Sequence, residues 1–311
     1  MSFKISSWRQ ALILFFKIYV AFLLTMILVS SLMRSVAPND HTTKPLVSTI
    51  PLEAFEGERD VAGGGAKDNV QFVSQTDTAH FLLHDNDKYV QSMSTSDLVA
   101  RKSACKEEYR LRGYYAAKEF NGDQKATLQN ACVQADKFFK DFSKKPVAFF
   151  DGTKAAAILW KLALIGDTIE DGMPHTREDV IFVHDSLIKG SEEALVRTLI
   201  HEKVHIYQRK FTKEQSSLAN EDGSNSQVFL TNHMVKGLGF TRSKKRSELM
   251  CDVRSNPDVD EWVYKNPKDS KDMYLCYRSS NPTNISDVIG QHSDEHPYEY
   301  IAYEIAKLYT P

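Results

Sequence analysis

The sequence predicts an α+β fold, and three observations carry that expectation. Apolar residues recur at helical spacing in several long stretches, most regularly in the one that Ser191 opens and that runs to about Lys210. The run Asp179–Ile188, DVIFVHDSLI, is dense in β-branched and aromatic residues and reads as a strand. Trp262–Lys265 and Met273–Arg278 flank Asn266-Pro267 and read as a hairpin. With 311 residues, 42% of them hydrophobic, the chain has ample material for a core.

Taken in order, the N-terminus divides into three parts. Residues 1–10 carry Lys4 and Arg9 and no acidic residue, which makes them the expected cytoplasmic end. Residues 11–33 are apolar with Lys17 as their one charge, long enough to span the hydrocarbon of a bilayer as a signal-anchor helix. Residues 34–66 lack periodicity and contain Gly63-Gly64-Gly65, the composition of a flexible tether. A cleaved secretory signal is the competing reading, because Ser35-Val36-Ala37 has small residues at cleavage spacing, although Pro38 follows directly. In either case the body, residues 67–311, lies outside the cytosol: single-pass and anchored, or secreted.

Within the body, Ser96–Phe120 and Asp123–Phe142 are apolar-periodic segments separated by Asn121-Gly122, and they predict a helical hairpin. Pro146–Phe150 is a strand candidate, followed by an expected helix from Ala155 to Leu164 and then the strand Asp179–Ile188. Ser191 is a suitable N-cap for the next helix, with Glu192 and Glu193 at the positive end of its dipole. Ser226–Lys236, closed by Gly237, reads as a further helix. Pro297 is a good first helical residue for a C-terminal helix through Leu308. No internal repeat is evident.

The four cysteines have no Cys-x-x-Cys metal spacing. In an oxidising compartment an even number can pair, and pairing in sequence order gives Cys105–Cys132 and Cys251–Cys276; buried free thiols are the alternative. Net charge is -2 and no extended basic face is present, so nucleic acid is excluded as a partner. The short cluster Arg242–Arg246 reads as a solvated loop, and Asn284-Ile285-Ser286 is a glycosylation sequon for a host that glycosylates.

The chemistry concentrates in His201-Glu202-Lys203-Val204-His205. Residues four apart on a helix project about 40° from one another, so His201 and His205 present two imidazoles to one point, as two ligands of a zinc ion. Glu202 lies about 60° from His205, placed to reach water at that point without being a ligand, the position of a general base. Zinc bound there would bring the pKa of water from 15.7 towards roughly 7 and polarise a carbonyl for attack.

With Glu299 far downstream in HPYEYIAYEIA, this motif resembles the gluzincin branch of zinc metallopeptidases. In that branch a glutamate in a Glu-x-x-Ala setting is the third ligand, and Glu299 with Ala302 matches it. The resemblance covers about a fifth of the chain: two helices and the strand before the first. It implies a zincin-like body with an active-site helix and an edge strand, one Zn2+ per chain, and a peptide or protein substrate. The strand Ile181–His184 would be the edge to which an extended substrate adds. Glu304, five residues past Glu299, and His233 remain alternative third ligands. A metzincin is excluded because Gln208 and Phe211 stand where its glycine and third histidine belong.

An oxyanion donor is expected near Glu299. His292, seven residues earlier, occupies the place of a tyrosine donor in some gluzincins, and Tyr303 is one turn beyond Glu299; Tyr298 and Tyr300 are packing residues. His175 and Thr176 fall in a polar turn that either lines the cleft or is plain surface, and Arg254, Asn256 and Asp258 in a loop whose polarity suits substrate contacts. The expected function is membrane-anchored zinc-dependent peptide hydrolysis. Two alternatives stand beside it: a non-catalytic extracytoplasmic binding module on the same scaffold, and zinc-dependent hydrolysis of a non-protein amide. The residues leave the oligomeric state open.

Overall fold

In the computed structural model, which describes residues 69–142, 150–214, 235 and 237–311, a five-stranded sheet lies between two helical layers. The expected signal anchor, the tether, most of the strand Pro146–Phe150, His233 and nearly all of the helix Ser226–Lys236 fall outside the described residues. The strands are β1 (Val70–Phe72), β2 (Ala117–Lys118), β3 (Trp160–Ile165), β4 (His175–Arg177) and β5 (Val180–His184). Their order is β1-β3-β5-β4, with β2 sharing the β1 side of β3. β1, β3 and β5 are parallel, whereas β4 turns back antiparallel on β5 and forms the far edge.

Alternation along β3 and β5 sorts their side chains between two cores. Leu162, Leu164, Ile181 and Val183 face one layer, and Ala163, Ile165, Val180 and Phe182 face the other. Both faces are covered, which is why these strands read as continuous apolar runs. The second layer holds α1 (Gln75–His84) and α2 (Lys106–Ala116). The first holds α3 (Gly122–Phe142), α4 (Gly152–Ala157), α5 (Glu192–Glu214) and α6 (Pro297–Ala306). The mixed α+β class is therefore present.

Several local expectations are corrected. The helical hairpin does not form: Ser96–Phe120 breaks into Thr95–Ala100 and α2 before β2, and α2 and α3 then lie on opposite faces of the sheet. The helix expected through Leu164 stops at Ala157, and Trp160–Ile165 is the central strand, because an apolar run broken only by Lys161 has no period to distinguish the two. Ile181–His184 is not an edge, since β4 covers it; beyond His184 the expected strand becomes a helical turn, Asp185–Ile188.

The remaining strands make two small sheets, β6 (Thr241–Lys245), β7 (Trp262–Lys265) and β8 (Asp272–Met273) in one, and β9 (Cys276–Tyr277) with β10 (Val288–Ile289) in the other. The expected hairpin around Asn266-Pro267 exists as β7 and β8, but its second arm divides between β8 and β9. Cys251 and Cys276 form a disulfide. Cys105 and Cys132 do not pair: Cys105 is exposed at the N-cap of α2, and Cys132 is buried in the core on the other face of the sheet.

Candidate metal centre

Helix α5 starts where its sequence signals place it. Ser191 Oγ accepts from the Ala194 amide at 3.2 Å, and Glu192 and Glu193 occupy the positive first turn. Its period sends Leu195, Leu199, Lys203 and Val204 into the core and leaves His201 and His205 facing the C-terminal helix. Lys203 is fully buried; its ammonium sits 2.7 Å from Asp136 Oδ1 and 3.8 Å from the centre of the Trp160 ring. The intervening residues of the motif thus anchor its back face while the histidines form the front.

Helix α6 has Pro297 at its start, capped by His296 Nδ1, which accepts from the Tyr298 amide at 3.1 Å. Glu299 falls in the first turn, where the dipole favours a carboxylate. Ala302, one turn on, is fully buried in the cluster that joins α6 to α5. The two helices therefore approach closely enough for the first turn of one to reach the middle of the other.

His201 Nε2 and His205 Nε2 are 3.0 Å apart, and Glu299 Oε2 lies 3.3 Å from the first and 3.5 Å from the second. Donors at the usual distances around a tetrahedral zinc ion are separated by about 3.3 Å. These three side chains form a group that can hold a metal ion. Burial alone lowers the His205 imidazole pKa, but the Asp258 and Glu299 carboxylates outweigh it and raise it to about 10. Burial raises the Glu299 carboxyl, and the adjoining histidines override that and hold it well below the usual carboxylate range.

Surrounding side chains fix the ligand atoms in orientation. Gln208 Nε2 donates to the Tyr298 carbonyl at 3.1 Å, which turns Gln208 Oε1 toward His205 Nδ1, 3.0 Å away. His205 Nδ1 then donates to Gln208, and Nε2 is the nitrogen turned to the place a metal would take. Asp258 lies 3.6 Å from the same Nδ1 and pairs closely with Arg209. Asn256 Nδ2 donates to Glu299 Oε1 at 2.8 Å and to Glu295 Oε2 at 2.9 Å, leaving Glu299 Oε2 to the histidines. Arg254 holds Glu295 bidentately through one guanidinium edge, Nη2 donating to Oε2 at 2.6 Å and Nε to Oε1 at 3.3 Å.

Glu202 is buried except on its cleft side, and Thr176 Oγ1 donates to its Oε2 at 2.6 Å. Thr176 sits on β4, so the edge strand and not a surface turn positions this carboxylate. A cavity of about 420 Å³ opens over the group, with Glu202, His292 and Tyr303 in its wall. The Tyr303 ring centre is 4.4 Å from that of His201. Burial, then the Glu299 and Glu202 carboxylates, pushes the Tyr303 phenol up to about 12, so it keeps its proton at neutral pH. Burial, then Arg254, lowers His292, which favours its neutral imidazole.

No family model, curated protein or solved structure matches the chain. The functional reading therefore rests on this geometry. Of the residues expected from sequence, His201, Glu202, His205, His292, Glu299 and Tyr303 all line one cavity. Glu304 does not: it is exposed and bonds Lys307 at 2.9 Å. His175 lines the cavity, and Thr176 supports Glu202 from a strand and not from a turn; Gln208 and Arg209 carry supporting contacts that sequence patterns gave no reason to assign. Asn256 and Asp258 were legible as a polar loop, but their targets were not.

Proposed function

We propose that this chain is a zinc-dependent peptidase of gluzincin type, held at a membrane by residues 11–33 with its body outside the cytosol. The observation that carries the reading is the meeting of His201, His205 and Glu299 beside a Glu202 whose carboxylate is tethered from the edge strand. Two imidazoles and one carboxylate are a donor set suited to zinc with a position left open for catalysis. When bound, zinc lowers the pKa of water and polarises the scissile carbonyl.

The protein's own residues supply the rest. Glu202 accepts a proton from the attacking water and returns it to the leaving amine, a two-way transfer that requires one free carboxylate oxygen. Thr176 occupies the other oxygen. Protonated Tyr303 donates to the carbonyl oxygen as it gains negative charge, with His292 in the same wall. Asn256, Gln208 and Asp258 hold the ligand atoms in place, so that little reorganisation accompanies reaction.

The test is metal content together with hydrolysis of a mixed peptide library. Wild-type protein is expected to hold about one zinc per chain and to cleave. Glu202→Gln should keep the zinc and lose cleavage, and Glu299→Ala should lose both. Cleavage that survives in Glu202→Gln overturns the mechanism.

A further inference from the structure

Among the described residues, the cavity wall along the histidine-bearing helix stops short at one end and reaches exposed side chains at the other. Along α5 the cavity wall includes Arg197, Thr198, His201, Glu202 and His205, a length of about 12 Å at 1.5 Å per residue. It goes no further. Gln208 and Arg209, the next residues on that face, do not line it, because each is drawn into a neighbouring element. Gln208 reaches α6 through the Tyr298 carbonyl. Arg209 reaches the edge strand: Nη2 donates to the Thr176 carbonyl at 2.8 Å and Nη1 to the Glu178 carbonyl at 2.9 Å.

The same guanidinium pairs with Asp258, on the loop that forms the opposite wall. Arg209 thus bridges β4 and the Ser255–Asp258 loop one helical turn beyond His205. It also occupies the outward carbonyl of Thr176, the group to which an extended chain would hydrogen-bond if it continued along this edge. At the other end the wall residues Arg197 and Lys307 have side chains 41% and 63% exposed. That end opens to solvent.

We infer that Arg209 is a specificity-determining residue that closes the cleft on one side of the scissile bond, so that the substrate is a peptide entered by its terminus. This rests on the peptidase reading. From the level of His205 to that of Arg209 is about 6 Å along the helix, and an extended residue spans about 3.3 Å. Room remains on the closed side for about two residues. On the open side the chain continues without limit.

Binding of zinc-chelating phosphinic peptides tests this, because the phosphinate fixes the register and no turnover is needed. Two series, each lengthened by one residue at a time on one side of the phosphinate, are measured by calorimetry against the zinc-loaded full chain. One series should lose at least tenfold in affinity beyond about two residues, and the other should not. Arg209→Ala should bring the long members of the first series to within about threefold of the short ones.

Arg209→Lys keeps a positive charge beside Asp258 but has one nitrogen in place of the two that reach the separate carbonyls, and it should relax the limit as alanine does. Equal affinity across both wild-type series, or an unchanged limit in both variants, overturns the inference. So does a limit that relaxes in alanine alone with a loss of zinc, since the effect would then run through the metal ligands. If no phosphinate binds a chain with full zinc content, the cleft is not a peptide site and the inference falls. A length limit without hydrolysis of any peptide supports the wall and sinks only the catalytic reading.

Discussion

Thr176 Oγ1 and Glu202 Oε2 are 2.6 Å apart, joining the outer strand of the sheet to the histidine-bearing helix. Thr176 is fully buried, so its hydroxyl has one dominant use. Replacing it with valine keeps the shape and removes the donor. On the proposed peptidase reading, Thr176→Val is expected to keep bound zinc and to lower kcat by about 10–100-fold, the usual cost of deleting such a support. Thr176→Ser should recover most of the loss. Metal analysis and steady-state kinetics on the three proteins check both statements, and an unchanged kcat in valine refutes the role.

Asn256 does for Glu299 what Thr176 does for Glu202. Both protons of its amide go to carboxylates, 2.8 Å to Glu299 and 2.9 Å to Glu295. Asn256→Leu releases Glu299 Oε1 and places two buried carboxylates side by side with one donor fewer. Zinc affinity, measured by competition with a chromophoric chelator, should fall by about 10–100-fold. Unfolding by urea measured alongside separates this from a general loss of stability.

Lys203 and Asp136 form a buried pair behind the motif, 2.7 Å apart, with Trp160 Nε1 donating to the same carboxylate oxygen at 3.0 Å. Lys203→Met strands that carboxylate in the core, a change expected to cost about 3–5 kcal/mol in urea unfolding. Adding Asp136→Leu removes the stranded charge and should recover most of the deficit. A single variant as stable as wild type would show that the pair has no such role.

Glu170 sits under the cleft floor, where it accepts from Arg101 Nε at 3.0 Å and from the Tyr89 and Tyr109 hydroxyls. Burial raises its carboxyl, but the Arg101 charge prevails and holds it at about 2, against 4.5 when unperturbed. With the folded pKa below the unfolded one, its stabilisation is complete above pH 4.5 and drains away as pH falls towards 2. The term amounts to at most roughly 3 kcal/mol. Glu170→Gln should therefore lose less urea stability than wild type between pH 4.5 and 2.5, although it starts lower at pH 7.

How much of this was legible beforehand follows from the range of each interaction. The pair His201 and His205 is written in five residues and one helical period, and Ser191 marks the start of its helix. Glu299 could be named only through the resemblance of its setting, since nothing local ties α6 to α5. Trp160–Ile165 was misread because a strand buried on both faces has no alternation.

Thr176 was taken for a turn residue for a different reason. The β4–β5 connection is a two-residue turn at Glu178-Asp179, and Glu178 adopts φ 53 without the Asn-Gly or Gly signal that normally announces such a hairpin. With the hairpin invisible, the strand and its buried hydroxyl were invisible too. Arg209 presents a further case. Its role is a bridge between two loops distant in sequence, and an arginine on a helix face has no pattern that declares such a bridge.

Glu299 comes 94 residues after His205 (299 − 205), with both small sheets and the disulfide in between. During synthesis the histidine pair emerges long before its carboxylate partner, so a partly made chain offers only two donors and a weak hold on metal. On the reading proposed here, hydrolytic capacity is withheld from the nascent chain by topology alone. It appears once α6 has docked, after the molecule that carries it has finished folding around it.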